Sequence, residues 1–292
     1  LSVLYIFLVL GWGIGKLKKD KASHADILSV LLVNIFLPCK VFSTFASNVT
    51  VDFLSQKYVL LIGSIIALAI LVILGFFIPK LLTKKPFERR VYSYSVPITN
   101  YAYLGYALIG SVFGDEVLAN FMFFVIPFVI YTYTVGYYLL TGGKFSFIKL
   151  INPLTIAIIL GITIGITGIK MPDIINSVLS ASSACVGPIS MLLTGITLST
   201  FTMKELLTDR TSYIFSFIRL VALPGIVFLV CKVFKLYALL PMLLIVTCMP
   251  CGLNPIVFPK LVGEDCKIGA RLALITHVLS LATLPLWLSL IL

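Results

Sequence analysis

Thr247-Cys248-Met249-Pro250-Cys251-Gly252-Leu253-Asn254-Pro255 lies in the middle of an apolar run that extends over residues 238–261. The run is close to the ~20 residues with which a helix crosses a ~30 Å hydrocarbon layer. Pro250 and Pro255, with Gly252 between them, do not suit one continuous helix. Each proline lacks an N–H and its ring clashes with the carbonyl one turn back. Backbone groups released at that depth must be met by protein, by water in a cavity or by a ligand. Asn254 adds a side-chain amide, donor and acceptor together, at the break. A second run repeats the pattern: Ser95-Val96-Pro97-Ile98-Thr99-Asn100-Tyr101 lies inside the apolar stretch 90–113.

Outward from these two segments the chain stays apolar. Of its 292 residues 60% are hydrophobic and 11% charged, with a mean hydropathy of +1.13. Soluble domains have about 45–50% apolar and about 25% charged residues. The difference excludes a water-soluble enzyme, a disordered chain and a nucleic-acid-binding module. Apolar runs separated by charged or Pro/Gly breaks define ten candidate spans, 1–15, 26–47, 57–82, 90–113, 117–141, 152–169, 173–201, 211–234, 238–261 and 265–291. The expected class is an all-α polytopic membrane protein. The first run would cover only ~22 Å at 1.5 Å per residue, and the chain starts at Leu1, so a few native residues are expected to precede it. That run passes straight into Lys16-Leu17-Lys18-Lys19, without the small-residue site of a cleavable signal.

The net charge of +11 would hint at nucleic acid in a soluble protein. Here the basic residues sit in short loops, so the partner they imply is the lipid headgroup layer. Odd-numbered connections hold sixteen of them, among them Lys16, Lys18, Lys19, Lys21, Lys84, Lys85, Lys144, Lys204 and Arg271; even-numbered ones hold four, Lys57, Lys170, Lys232 and Lys235. Positive loops stay cytoplasmic, which predicts that both termini face outside.

Landmarks recur at about half the chain length. Gly11 and Gly15 match Gly161 and Gly165, and Pro38 matches Pro188, all at an offset of 150; Pro97 and Asn100 match Pro250 and Asn254 at 153 and 154; Gly114-Asp115-Glu116 matches Gly263-Glu264-Asp265 at 149. Each half holds five spans, an odd number, so the second half enters the membrane from the opposite side. The expected domains are a first five-helix repeat over 1–141, a cytoplasmic linker over 142–151 and an inverted repeat over 152–292. Inverted repeats, with discontinuous helices meeting near the midplane, are the architecture of secondary transporters. Spans 4 and 9 are therefore expected to break and cross at Pro97, Pro250, Gly252 and Pro255, with Asn100 and Asn254 at a site for an anionic solute. The blander reading is a pair of proline kinks with asparagines mending the backbone.

The chain resembles the auxin efflux carrier family, in its short bacterial form without the long central cytoplasmic loop of plant members. The resemblance covers essentially the whole chain. It rests on Asn34-Ile35-Phe36-Leu37-Pro38, Asn100 through Gly105, Asn152-Pro153, Arg219-Leu220 before Pro224, and Met249-Pro250 with Asn254. It implies crossed broken helices whose asparagines take part in binding a carboxylate. It also implies a scaffold of spans 1, 2, 6 and 7, which commonly dimerises, and a moving domain of spans 3–5 and 8–10. Bacterial relatives are associated with small acids such as malate or malonate, and plant ones with auxin. The expected activity is secondary active or facilitative transport of organic anions across the plasma membrane by an elevator-type motion. Pro255 and Tyr101 depart from the simplest form of the pattern.

Ionisable groups at membrane depth are functional candidates by default. Lys40 is a charge partner for a carboxylate, or it snorkels or binds carbonyls freed by Pro38. Arg219 is weighed as a partner to carbonyls or a headgroup against substrate contact. His277 is a proton relay or a helix–helix hydrogen-bond donor. Ser43 and Thr44 after Pro38, and Ser190 and Thr194 after Pro188, line a pocket or bond their own backbone. No Asp or Glu lies mid-span (Asp26, Asp115, Glu116, Glu205, Asp209, Glu264 and Asp265 are all near ends). This disfavours a carboxylate-driven pump and leaves H⁺ or Na⁺, the latter held by carbonyls and amides, as coupling ion. No cofactor and no metal ligand set is expected. Cys248-Met249-Pro250-Cys251 has redox spacing without redox context, and Gly11-Trp12-Gly13-Ile14-Gly15 imitates a dinucleotide fingerprint with no strand before it. The rival readings are a sodium-coupled bile-acid-type symporter, which shares the crossed-helix plan, and a non-transporting receptor or scaffold.

Overall fold

The computed structural model describes residues 2–17, 21–143 and 147–291, without the side chains of 21–24, 205 and 206. Lys18, Lys19 and Lys144, and the side chains of Lys21 and Glu205, lie outside the described residues. All regular structure among those described is helical. Helix α1 (Ser2–Leu17) is followed by α2 (Lys21–Leu31), α3 (Leu37–Asn48) and α4 (Val51–Leu82), then by α5 (Pro86–Ser95) and α6 (Tyr106–Phe124). Helices α7 (Ile126–Tyr131) and α8 (Tyr137–Thr141) follow; α9 (Pro153–Thr167), α10 (Asp173–Ser199) and α11 (Met203–Leu207) come next. The chain ends with α12 (Arg210–Phe217), α13 (Leu223–Val233), α14 (Leu240–Cys248), α15 (Asn254–Lys260) and α16 (Lys267–Leu288). Six helical stretches are long and apolar enough to cross a membrane, and Ser2–Leu17 and Pro153–Thr167 are shorter apolar helices. On α4 the residues Ile62, Ile65, Ile66, Ile70, Ile73, Phe76 and Phe77 are all exposed. Such an uncovered apolar helix face belongs against lipid.

Local chemistry sets the helix boundaries. Asn152 caps α9 by accepting from Thr155 N at 3.1 Å, with Pro153 in the first turn where a missing N–H does no harm. Asp209 accepts from Ser212 N at 3.0 Å and caps α12. Prolines inside helical runs widen the turn before them. Leu37 N–H reaches Leu32 O one residue before Pro38, and Leu223 N–H reaches Ile218 O one residue before Pro224. These are π-type turns, which relieve the clash between the ring and the carbonyl one turn back. Pro224 also deprives Leu220 O of its helical donor; the Trp287 indole Nε1 from α16 donates to it at 2.7 Å.

The chain divides into two compact units, each drawn from both halves of the sequence. One comprises Leu1–Leu61, Ala102–Phe123 and Phe147–Thr200. In it α10 packs on α1, α2 and α3, and α9 on α3. A Cβ on Gly11 would strike the backbone of Leu192, one on Gly15 the side chain of Ser199, and one on Gly195 the backbone of Leu8. A Cβ on Gly161 would strike Phe42 and Phe45, and one on Gly165 the carbonyls of Phe45 and Val49. Glycines therefore let α1 approach α10, and α9 approach α3, at backbone distance. The contacts obey the same offset as the sequence landmarks, since Leu192 lies 150 residues after Phe42, Gly195 after Phe45, and Ser199 after Val49. The other unit comprises Ile62–Tyr101, Phe124–Ser146 and Phe201–Leu292. In it α16 packs on α11, α12, α14 and α15, and buried Cys231, Leu240 and Leu244 form an apolar core against Val227, Phe228, Leu243, Trp287 and Ile291.

Within α6 the backbone at Gly114 has φ 83° and ψ 178°, so the helix is interrupted there. Its sequence counterpart Gly263 has φ 73°. Both Gly-acidic-acidic connections thus turn on a glycine whose backbone is costly for other residues.

Candidate functional site

The two proline segments are non-helical and meet. Helix α5 stops at Ser95, and regular turns resume with a π-type turn over Tyr101–Gly105. Helix α14 stops at Cys248; Met249, ahead of Pro250, is extended with φ −66° and ψ 147°, as a residue before proline prefers. Asn254 and Pro255 then open α15. Asn100 N donates to Pro250 O at 2.8 Å, Cys251 N to Thr276 Oγ1 at 2.9 Å, and Thr99 Oγ1 to Val246 O at 3.2 Å. Backbone groups released by the interruptions are thus met by other protein groups, as the absence of water in a bilayer requires. A Cβ on Gly252 would lie 3.4 Å from Thr99 O, an ordinary contact, so the interruption rests on the prolines. A Cβ on Gly269 would collide with the Pro255 backbone; this glycine lets α16 touch the segment.

The two asparagines are held differently. Asn100 is 3% exposed, and its Nδ2 lies 3.0 Å from His277 Nε2. His277 Nδ1 lies 2.7 Å from Ala273 O. A carbonyl only accepts, so Nδ1 carries the proton, and Nε2 accepts from the asparagine amide. His277 is therefore a neutral imidazole that orients Asn100. Asn254 is half-buried and donates from Nδ2 to Tyr94 Oη at 2.7 Å. Tyr94 and Tyr101 both hydrogen-bond Thr132, whose hydroxyl donates to Phe128 O at 2.8 Å. Tyr94, Thr132 and Gly269 were not singled out from sequence. Tyr94 lies one residue before the Ser95–Asn100 stretch, but a tyrosine in an apolar run carries no signal of its partner.

Arg219 is fully buried, donating from Nη1 to Thr247 O at 2.7 Å and from Nη2 to Val246 O at 3.1 Å. Of the readings open to it, the structure selects the partner to carbonyls.

The remaining candidates fall in the first unit. Lys40 is half-buried, makes no ion pair among the described residues, and its Nζ reaches Gly110 of α6. Ser43 lines a cavity of about 300 Å³ with Ser47, Lys170, Asp173 and Asn176. Thr44 is buried, and its carbonyl accepts from Asn48 Nδ2 at 2.8 Å. Ser190 and Thr194 are fully buried and bond backbone: Ser190 Oγ donates to Gly187 O at 2.9 Å and Tyr103 O at 3.1 Å, Thr194 Oγ1 to Ser190 O at 2.8 Å. Asn100, Asn254, Pro97, Pro250, Pro255, Gly252 and His277 are thus gathered in one unit, and Lys40, Ser43, Thr44, Ser190 and Thr194 in the other. Among the described residues no three His, Cys, Asp or Glu side chains group as a metal site.

The family model for membrane transport proteins matches residues 1–149 and 143–288. The chain belongs to this family. The resemblance to auxin efflux carriers read from the sequence holds, and the protein is a multi-pass membrane transport protein. An uncharacterized transporter of Methanocaldococcus jannaschii is 27% identical over 281 residues, covering 91% of this chain and 90% of its own length.

Proposed function

We propose that this transporter is a secondary carrier of small organic anions that works by elevator-type alternating access, with its anion site at the interrupted segments around Asn100 and Asn254. The observation that carries the reading is the 2.8 Å hydrogen bond from Asn100 N to Pro250 O, which ties two proline-interrupted segments together. Transporters place their sites at such paired interruptions. Asn254 is half-buried, and after its bond to Tyr94 its Nδ2 has a second hydrogen for a carboxylate oxygen. Two inverted five-helix repeats are supported by the packing of Gly11 and Gly15 against α10 and of Gly161 and Gly165 against α3 at a common offset, and by the positive φ of both Gly114 and Gly263. The reading of ten spans adds the segment after Val125, up to residue 141, and the interrupted run 238–261 to the six long and two short apolar helices. The division into two compact units supports a scaffold and a moving body.

The test is uptake of radiolabelled malonate, malate and indole-3-acetate into proteoliposomes, with and without sodium. A hydrogen bond to a charged group contributes about 1.5–3 kcal/mol, so Asn254→Ala is expected to weaken uptake about tenfold or more. Full uptake by Asn254→Ala removes the site, and no flux of any acid by the wild type removes the carrier reading.

A further inference from the structure

The proposed anion site leaves Arg219 unexplained. It sits in the π-type turn Ile218–Ala222, fully buried, and no carboxylate pairs with it among the described residues. A buried charge without a counter-ion is costly, so its surroundings carry information. Its two terminal nitrogens hold the carbonyls of Val246 and Thr247, and its Nε is buried with no partner among the described residues. Those carbonyls belong to the last turn of α14, which stops at Cys248. The final carbonyls of a helix have no helical donors and form the negative end of its dipole, about half an elementary charge. Helix α14 therefore aims a partial negative charge at the segment that carries Asn254, the wrong sign for an anion. The guanidinium cancels that half charge and leaves a net positive remainder. It is also tied to the other segment, because Val246 O accepts from Thr99 Oγ1 as well, next to Asn100.

Resting on the anion-site reading, we propose that Arg219 is a specificity-determining residue. Its charge, delivered through the end of α14 and without touching the solute, makes the site prefer a carboxylate over the uncharged amide of the same shape. A unit charge acting over about 10 Å at an effective dielectric near 20 is enough for roughly tenfold discrimination.

The experiment uses the full chain in detergent and measures binding of malonate against malonamide, and of indole-3-acetate against indole-3-acetamide. Wild type, Arg219→Lys (charge kept) and Arg219→Met (charge removed, stem kept) are compared. The wild type and Arg219→Lys are expected to prefer the acid, and Arg219→Met to lose about tenfold or more of that preference. An Arg219→Met protein with the wild-type ratio overturns the proposal. So does a folded Arg219→Lys protein with no acid preference, which decides the matter if Arg219→Met does not fold. If Asn254→Ala abolishes acid binding while Arg219→Met keeps the ratio, only the role of Arg219 fails. If the wild type binds neither acid, the anion site fails and this inference with it.

Discussion

Replacing His277 by leucine puts an apolar side chain of similar size in α16 and removes the acceptor of Asn100 Nδ2. The bond lost is 3.0 Å long, between side chains 3% and 1% exposed, so water cannot step in. Removing one partner of a buried hydrogen bond costs about 1–3 kcal/mol. The loss of the second imidazole bond, to Ala273 O at 2.7 Å, is minor, because that carbonyl lies inside α16 and keeps its helical donor. In a chain of this size such a loss should lower the melting temperature by a few degrees, at ~2–4 °C per kcal/mol. His277→Gln, whose side-chain oxygen accepts, should recover most of it. Thermal unfolding in detergent, followed by intrinsic fluorescence, separates the two. Acid uptake should follow the same order, with leucine about tenfold below glutamine, because an amide released from His277 no longer holds one orientation. A leucine variant as stable and active as the wild type, or a glutamine variant no better than leucine, would refute the assignment of His277 as acceptor.

Further substitutions probe the helix packing. Trp287→Phe strips the donor from Leu220 O and should destabilise by about 1–3 kcal/mol; adding Pro224→Ala, which returns the helical N–H to that carbonyl, should recover part of the loss in a double-mutant thermal analysis. Gly161→Leu should push α9 off α3 and cost about 1–3 kcal/mol or more, whereas Gly13→Leu, with open space at its Cβ, should leave thermal stability almost unchanged.

Much of the architecture was legible because hydropathy and prolines act locally. A bilayer demands about 20 apolar residues per crossing, so candidate spans could be bounded from composition, and six described helical stretches are long and apolar enough to cross; Val51–Leu82 starts six residues ahead of its span, and Tyr106–Phe124 runs from the fourth candidate span into the fifth. The interruptions at Pro97 and at Pro250–Pro255 were readable because a proline removes a hydrogen bond wherever it stands. The glycine pairs at an offset of 150 announced close approach, though not against which helix. The partners of the site residues were beyond reach. Nothing in Tyr94, one residue before Ser95, points to Asn254, which is 160 positions away. His277 invited a proton-relay reading, and its geometry shows an acceptor fixed by Ala273. Ser190 and Thr194 were readable as pocket lining or as backbone-bonded, and the structure shows their hydroxyls bonded to carbonyls. Lys40, Ser43 and Thr44 are grouped with the other unit because contact, not chain order, defines a unit.

From its sequence alone this protein is a helical, multi-pass membrane protein with proline-broken segments in each half, since lipid solubility and helix termination depend on neighbours along the chain. Tertiary structure decided that the broken segments bond to each other, that a neutral His277 orients Asn100, and that Arg219 donates to the last carbonyls of α14. Those outcomes depend on which unpaired donors and acceptors come within about 3 Å of one another, and residues more than a hundred positions apart meet only once the chain has packed.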